Sequence, residues 1–354
     1  MAAKMVAVKS LTPGCILADT VLSLAGKTLL GEGLELTPRQ ISLLMTWDIQ
    51  NVFIQAQEEE EQPPDEPVGD PVSETNRKAN SEAYMRFVQE YDSIVTTIAQ
   101  TFDFIQKRNI VSIAHFKETA GTIHSSIASN GLAALNYLLI SDYKLADFVS
   151  RHSVMVAFFS GIIARQMKWS EDDIRGVAMA GLLHDLGNLT AGKRDGLEVR
   201  AYIAESAALL KEIKGIPNEV ILGILQHREC IDGSGFPTGV NGSKVHPYAK
   251  IIAVADTFHA QAYTNEYANP FAVLDTLSHE MFGKLDTAVC HTFISQVRDS
   301  MLNNKIVLSD GRQAEVIFFH PNGSCFPVVR MEDGQIADLS QPGELTVSRL
   351  VTPD

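Results

Sequence analysis

Histidine and aspartate residues border three of the most apolar stretches of this sequence, where ionisable side chains are costly. His184 and Asp185 directly follow the apolar run 177–183. Asp256 follows a second apolar run, and His152 precedes a third. One such residue usually caps a helix or binds backbone, because an unpaired buried charge is expensive. Three such stretches together predict a divalent metal ion shared by imidazole and carboxylate groups, since one cation compensates them all.

The predicted ligands also limit the kind of metal. Mixed nitrogen and oxygen ligation suits Mn, Fe, Ni or Zn, whereas Ca prefers oxygen ligands alone. The residues therefore predict a transition-metal site.

A fourth segment, residues 226–237, predicts one edge of a substrate site. His227 follows the apolar run 220–225, and a glycine-rich loop comes next. Glycines allow the backbone to approach a ligand closely. Such a loop alone also fits a surface turn, but next to a histidine at a helix end it favours a binding role. Its glycines are Gly233, Gly235, Gly239 and Gly242.

These residues lie in a region, 76–304, whose pattern is helical, so we expect a mainly α protein built around one helical domain. Residues 1–56 predict a small α/β module, with a helix starting at Thr37-Pro38 and a strand at 51–55. Residues 57–75 hold four prolines and eight acids without lysine or arginine, which predicts an acidic linker.

The tail, residues 305–354, changes to an alternating apolar and polar pattern. Turn-forming pairs separate the alternating runs, which is the signature of β-hairpins. We expect a short β-meander with turns at Asp310-Gly311, Asn322-Gly323 and Asp333-Gly334.

Apolar residues recur every seven positions at the start of the helical region. This spacing fits either a coiled-coil seam, and hence a homodimer, or packing on the helices that follow. We favour packing and leave the homodimer open. The residues are Tyr84, Phe87, Tyr91, Ile94, Ile98 and Ile105.

Composition excludes several kinds of protein. The net charge of −14 argues against binding to polymeric nucleic acid or to an anionic membrane, and the linker accounts for eight of the negative charges. No apolar run approaches the ~20 residues of a membrane span, and the first residues lack a signal-peptide pattern. Four cysteines without a CxxC pair predict a reducing compartment, so we expect a cytoplasmic protein.

Two motifs resemble those of a known family. His152, the 183–187 segment Leu-His-Asp-Leu-Gly and Asp256 resemble the H…HD…D metal signature of the HD-domain phosphohydrolases. The 227–237 segment, His-Arg-Glu-Cys-Ile-Asp-Gly-Ser-Gly-Phe-Pro, is similar to the HHExxDGxGYP motif of the HD-GYP subgroup. This resemblance covers about residues 140–300, and residues 11–18 resemble a leader module attached to some members.

The resemblance implies an all-helical HD-type domain that hydrolyses cyclic di-GMP to pGpG or GMP with two or three metal ions. It implies that His152, His184, Asp185 and Asp256 hold the first metal, with His184 and Asp185 as catalytic residues. Asp185 would also bridge to a second metal and orient the attacking water. His227 and Glu205 are the candidate ligands of that second metal.

The substrate-binding residues are also implied by the resemblance. They are Asn188, Arg228, Asp232, Gly233, Gly235 and Phe236, which we expect to contact cyclic di-GMP or a related small nucleotide.

The sequence departs from the family pattern in five places, and three of these are groups that would touch the phosphate or the second metal. Asn188 replaces a lysine, Glu205 and Arg228 each replace a histidine, Phe236 replaces a tyrosine, and residues 263–270 lack the usual basic residues. Arg228 cannot be a ligand, and its charge repels a second cation unless it points outward or grips a phosphate. We therefore expect one metal and leave the second open.

Three functions fit these residues. The first is a cyclic di-GMP phosphodiesterase. The second is a sensor or scaffold that binds the nucleotide, or a signalling protein through the glycine-rich loop, without turnover. The third is a phosphohydrolase for another small nucleotide. We favour the first function. Without a metal, the four buried ionisable residues would have no group to offset the cost of their burial.

Overall fold

The computed structural model describes residues 3–11, 14–22, 28–31, 33–34, 36, 41, 44, 49–55, 71–108, 110–140, 148–190, 203, 206, 208–211, 213–263, 270–320, 325–341, 343 and 345–351. The chain divides into two compact units, residues 1–68 and 69–354. None of the helices among these residues is long and apolar enough to cross a membrane.

The first unit contains two antiparallel strand pairs. β1 (Ala3–Ala7) pairs with β4 (Asn51–Gln55), and β2 (Val21–Leu22) pairs with β3 (Thr28–Leu30). The predicted strand at 51–55 is confirmed, while the predicted helix start at Thr37-Pro38 lies outside the described residues. The unit has its own small core, which includes Leu17, Leu36, Leu44 and Val52.

The second unit is mainly helical, as predicted. Its first helix begins at Pro71, so residues 71–75 of the predicted linker are helical. The helices whose bounds fall within the described residues are α1 (Pro71–Arg108), α2 (Ile113–Ile140), α3 (Phe148–Gln166), α4 (Glu171–Leu183), α5 (Leu186–Thr190), α6 (Asn218–Gln226), α7 (Pro247–Ala262), α8 (Pro270–Glu280) and α9 (Thr287–Met301).

The seven-residue repeat of α1 faces the core of its own chain. Tyr91, Phe87 and Ile98 are almost completely buried, and they belong to the same core as α3 and α7. The Phe87 and Tyr91 rings lie 5.3 and 5.9 Å from the ring of Phe158 in α3. This confirms that the repeat packs on the following helices from Phe87 to Ile105, while the side chain of Tyr84 lies outside the described residues.

Helices α3 and α4 approach each other closely at Gly181. A Cβ atom on Gly181 would lie 2.9 Å from the Cα of Ala157, so a larger residue would push the helices apart. Gly181 is one turn before His184, so this contact sets how deeply the end of α4 is buried. Helix α4 ends at Leu183, and Gly187 lies in the next helix, α5.

The C-terminal residues form a five-stranded antiparallel sheet in the order β8-β7-β6-β5-β9. The predicted meander is confirmed for its first four strands, and β9 returns to pair with β5. Val316 and Val329 join the helical core. The Asn322-Gly323 turn lies outside the described residues. The strands are β5 (Lys305–Leu308), β6 (Gln313–Phe318), β7 (Val328–Met331), β8 (Ile336–Asp338) and β9 (Val347–Leu350).

Candidate metal centre

Four helices bring ionisable side chains to one buried place in the second unit. His152 is the fifth residue of α3, and His184 and Asp185 directly follow α4. Asp256 lies within α7, and His227 directly follows α6. These five residues are far apart in the sequence, and the packing of their helices makes them neighbours.

Two of the histidines are fixed by the helix that precedes them. The last turn of a helix leaves carbonyl groups without partners. His184 Nδ1 donates to the Gly181 carbonyl at 2.7 Å, and His227 Nδ1 donates to the Ile224 carbonyl at 2.7 Å. Because a carbonyl only accepts, each Nδ1 carries the proton, and each Nε2 keeps a lone pair.

His152 is oriented by His259, a residue that the sequence did not suggest. The two Nδ1 atoms lie 2.8 Å apart, and His259 Nε2 lies 3.1 Å from the Met155 sulfur. Since that sulfur can only accept, His259 Nε2 carries the proton and its Nδ1 accepts one from His152. His152 Nε2 therefore also keeps a lone pair. Burial, with the nearby His152, lowers the pKa of His259 to about 3, so it stays neutral.

The acceptor atoms of the site lie within a few ångströms of one another. His152 Nε2 is 3.1 Å from His184 Nε2 and 3.4 Å from Asp256 Oδ1. Asp185 Oδ2 is 3.6 Å from His184 Nε2 and 3.9 Å from His152 Nε2. His184 and Asp256 are almost fully buried. The predicted first-metal quartet is thus brought together.

This crowding of lone pairs fits a cation. Two Nε2 atoms that both carry lone pairs and lie 3.1 Å apart cannot form a hydrogen bond with each other, and two carboxylates add negative charge. Two nitrogen and two oxygen donors match a transition metal. His152, His184 and Asp256 each offer an atom within 4.8 Å of the others. These residues could therefore hold Mn, Fe, Ni or Zn.

Both carboxylates of the site favour the ionised form. Burial alone would raise the pKa of Asp256, but the neighbouring His152, His184 and Arg228 hold it well below its usual value. Burial likewise opposes ionisation of Asp185, yet His184 and His227 lower its pKa overall. Negative charge is thus available to a metal at neutral pH.

His227 presents a buried and unused nitrogen next to this cluster. Its ring lies 5.3 Å from the ring of His184, and its Nε2 has no hydrogen-bond partner among the described residues. Burial, together with His184 and Arg228, lowers the pKa of His227 to about 4. A neutral imidazole with a free Nε2 is suited to metal binding, but Glu205, its predicted co-ligand, lies outside the described residues.

Arg228 points into the site, so the alternative that it points outward is wrong. Its Nη2 lies 2.8 Å from Asp256 Oδ2, although the side chain remains 37% exposed. The guanidinium thus reaches from the protein surface to a buried carboxylate. The two oxygens of Asp256 have different neighbours, the histidines at Oδ1 and Arg228 at Oδ2.

The glycine-rich loop is held in place by Glu229, a buried residue beside His227. The Glu229 carboxylate accepts hydrogen bonds from the backbone N–H and hydroxyl of Thr238, both at 2.7 Å, and from the Gly239 N–H. Gly235 packs on the same turn, since a Cβ there would lie 2.5 Å from the Arg228 carbonyl oxygen. The loop therefore has a defined shape.

The other predicted substrate residues lie in or near this loop. The exposed Asp232 accepts from the Ser234 N–H and hydroxyl, at 2.8 and 2.6 Å. Gly233 has a positive φ of 82°, and the half-buried Phe236 donates its N–H to the Arg228 carbonyl. Asn188 belongs to α5, but its side chain is outside the described part of the chain. Their role in binding stays a prediction.

Comparison with known proteins agrees with this geometry. A family profile described as HD domain matches residues 135–279. The chain is 26% identical over 236 residues to Cyclic di-GMP phosphodiesterase PA4108 of Pseudomonas aeruginosa, covering 62% of this chain and 56% of that protein. It is 35% identical over 150 residues to 3'3'-cGAMP-specific phosphodiesterase 3 of Vibrio cholerae, covering 38% and 32%.

A third relative is the Cyclic di-GMP phosphodiesterase of Thermotoga maritima. It is 29% identical over 162 residues, which cover 41% of this chain and 44% of that protein. The chain therefore spans about half or less of the length of these three relatives.

Proposed function

We propose that this chain is a metal-dependent phosphodiesterase of the HD-GYP type that cleaves a cyclic dinucleotide, because residues 135–279 match the HD-domain profile and two relatives are cyclic di-GMP phosphodiesterases. The substrate that we propose is cyclic di-GMP, with pGpG or GMP as the product. A second candidate substrate is 3'3'-cGAMP, since the relative that is 35% identical carries that name.

One observation carries this proposal, namely the convergence of four donor groups, of which His152, His184 and Asp256 are buried. The Nε2 atoms of His152 and His184 lie 3.1 Å apart, and carboxylate oxygens of Asp185 and Asp256 lie within 3.9 Å of them. A divalent metal held there would lower the pKa of a water molecule toward neutrality and offset the charge of a phosphate.

Asp185 is the residue best placed to orient the attacking water. Its side chain is 25% exposed, whereas those of Asp256 and His184 are 2% and 0% exposed. Because its pKa is lowered, Asp185 is ionised at neutral pH and can accept a hydrogen bond from water. His184, held by the Gly181 carbonyl, keeps its Nε2 directed at the same place.

The loop after His227 supplies the proposed substrate contacts. Phe236 is half-buried and offers an aromatic ring on which a nucleobase can stack. Arg228 brings a positive charge to the quartet, because its Nη2 lies 2.8 Å from Asp256 Oδ2. Asn188 and Asp232 stay as predicted contacts, and so do a protein partner at this loop, a homodimer and a cytoplasmic location.

Binding without turnover is the second candidate function. The ion pair between Arg228 and Asp256 favours it, because the guanidinium engages an oxygen of a proposed metal ligand. In this case the domain would act as a nucleotide sensor or scaffold.

Metal content and hydrolysis together distinguish these functions. The protein would be loaded with Mn or Fe, its metal content measured, and cyclic di-GMP and 3'3'-cGAMP offered in separate assays. We expect linear product from the wild type and none from Asp185→Asn. Asp172→Asn is the matched control, since Asp172 is exposed at the start of α4 and pairs with Arg175.

Absence of product from metal-loaded wild type that still binds the nucleotide would contradict the enzyme and favour the sensor. Product from Asp185→Asn at the wild-type rate would contradict the role given to Asp185.

A further inference from the structure

The carboxylate of Asp256 is divided between two kinds of partner. Oδ1 lies 3.4 Å from His152 Nε2 and 3.9 Å from His184 Nε2, on the side of the quartet. Oδ2 lies 2.8 Å from Arg228 Nη2. Asp256 is 2% exposed, so both of its oxygens depend on these neighbours for compensation.

The charge that Arg228 brings to this carboxylate is permanent. A guanidinium is not deprotonated in proteins, so pH cannot remove its positive charge. It offers only donors and therefore cannot ligate a metal. A cation near Asp256 Oδ2 would have to share that oxygen with the guanidinium and tolerate its charge at short range.

His227 marks the place where a second metal would be expected. Its Nε2 is buried without a hydrogen-bond partner among the described residues, and it precedes Arg228 in the chain. The next residue in the chain is Arg228, whose side chain carries a fixed positive charge and cannot ligate a metal.

We propose that the Arg228 guanidinium is a permanent positive charge of this centre. By pairing with Asp256 Oδ2, it limits the centre to one divalent metal ion and weakens the binding of that ion. The inference rests on the metal site of the proposed function, but it does not depend on turnover. In this arrangement the single metal is bound by His152, His184, Asp185 and Asp256 Oδ1. The guanidinium lies where a second metal would bind next to His227.

Metal binding without any substrate tests this proposal. Mn content per chain would be measured by elemental analysis after gel filtration, and Mn affinity by competition with a chelator. We expect one Mn per wild-type chain. Arg228→Gln removes the charge and should raise the affinity for the first Mn about tenfold. Arg228→Lys keeps the charge and should remain within about threefold of the wild type.

Two further variants complete the experiment. Arg228→His puts a second imidazole beside His227, and we expect its Mn content to rise toward two per chain. Arg175→Gln is the matched control, because it removes an exposed arginine that pairs with Glu171 and Asp172. Its Mn content and affinity should equal those of the wild type.

Two Mn per wild-type chain would overturn the proposal, and this measurement needs no variant to fold. An affinity of folded Arg228→Gln equal to that of the wild type would overturn it as well. If the protein binds one Mn, shows the tenfold increase and hydrolyses nothing, then the proposed function fails while this inference stands.

Discussion

His152 and His259 face each other through their Nδ1 atoms, which lie 2.8 Å apart between α3 and α7. This contact decides which nitrogen of His152 can bind a metal. His259 accepts the Nδ1 proton, so Nε2 is directed at His184 and Asp256 with its lone pair available. His259 is thus a positioning residue of the proposed centre, although it would not touch the metal itself.

Replacement of His259 should weaken metal binding without removing a ligand. Loss of an outer partner of a ligating histidine costs about 10–100-fold in affinity, so we expect a decrease of this size in His259→Ala. His259→Asp should restore the affinity, because a carboxylate can accept the same proton. Chelator competition measures both variants.

His279→Ala is the control for this series, since His279 is an exposed histidine of α8. A purely structural role for His259 would leave the aspartate variant as weak as the alanine variant. That result would contradict the orientation of His152 by His259.

Asp256→Asn should abolish tight metal binding and also leave Arg228 without its partner. We expect metal affinity to fall by more than about 100-fold. This decrease is larger than the one expected when a residue that only hydrogen-bonds to a ligand is removed. Breaking the ion pair should cost about 1–3 kcal/mol of unfolding free energy, less than for a fully buried pair because Arg228 is partly exposed.

Thermal unfolding with and without Mn checks both effects of Asp256→Asn. Metal at 100 times its dissociation constant should stabilise the wild type by about 2.7 kcal/mol. The variant should gain almost nothing, whereas Asp172→Asn should behave as the wild type. If Mn stabilised Asp256→Asn against unfolding as much as it stabilises the wild type, Asp256 would be excluded as a ligand.

Glu229→Gln should loosen the glycine-rich loop while leaving the metal in place. The Glu229 carboxylate accepts hydrogen bonds from three donors, the N–H and hydroxyl of Thr238 and the N–H of Gly239. The side-chain amide of glutamine has one acceptor oxygen fewer and presents an NH₂ donor in its place. We expect a loss of about 1–3 kcal/mol in stability. Hydrogen exchange should become faster at residues 232–240.

Metal content provides the internal check on that variant, because it should equal that of the wild type. Glu219→Gln changes an exposed residue of α6 and should alter neither the metal content nor the hydrogen exchange of the loop. Unchanged exchange in the loop of Glu229→Gln would mean that Glu229 does not hold the loop.

His246 predicts a pH dependence of stability that is separate from the metal centre. It caps the start of α7, where its Nδ1 accepts the Tyr248 N–H at 3.2 Å. Burial lowers the pKa of His246, which Glu219 only partly opposes, below the value near 6.5 of an unfolded chain. The unfolded chain therefore binds a proton more readily, so this contribution is present above about pH 6.5 and is lost as pH falls.

His246→Asn should cap the same helix without titrating. Between pH 7.5 and 5.5 the stability of the wild type should fall by up to about 1 kcal/mol relative to the variant. Urea unfolding at several pH values measures the difference, in which the titration of all other groups cancels. Parallel curves for the two proteins would contradict a titrating cap.

The predicted quartet emerged from the sequence because its signal is local. His184 and Asp185 directly follow an apolar run, and an ionisable group in such a place needs compensation wherever the helix packs. The hairpins of the C-terminal sheet could be predicted for the same reason, since their turns depend on adjacent residues, Asp310-Gly311 and Asp333-Gly334. The strand β9 was missed because its pairing with β5 depends on distant residues.

His259 had a weak signal in the sequence that could not be interpreted alone. It follows Asp256 by three residues, so the helical period places both on one face of α7. Its partner is on α3, more than a hundred residues earlier, and only the packing of the two helices joins them.

The amino-acid sequence by itself determined the helical class, the ligand types and the four residues of the proposed metal site, because each depends on local pattern. Only the tertiary structure decided the direction of Arg228, the tautomer of His152 and the unused nitrogen of His227. These depend on which side chains meet across separate helices, and on how the two oxygens of one buried carboxylate are shared.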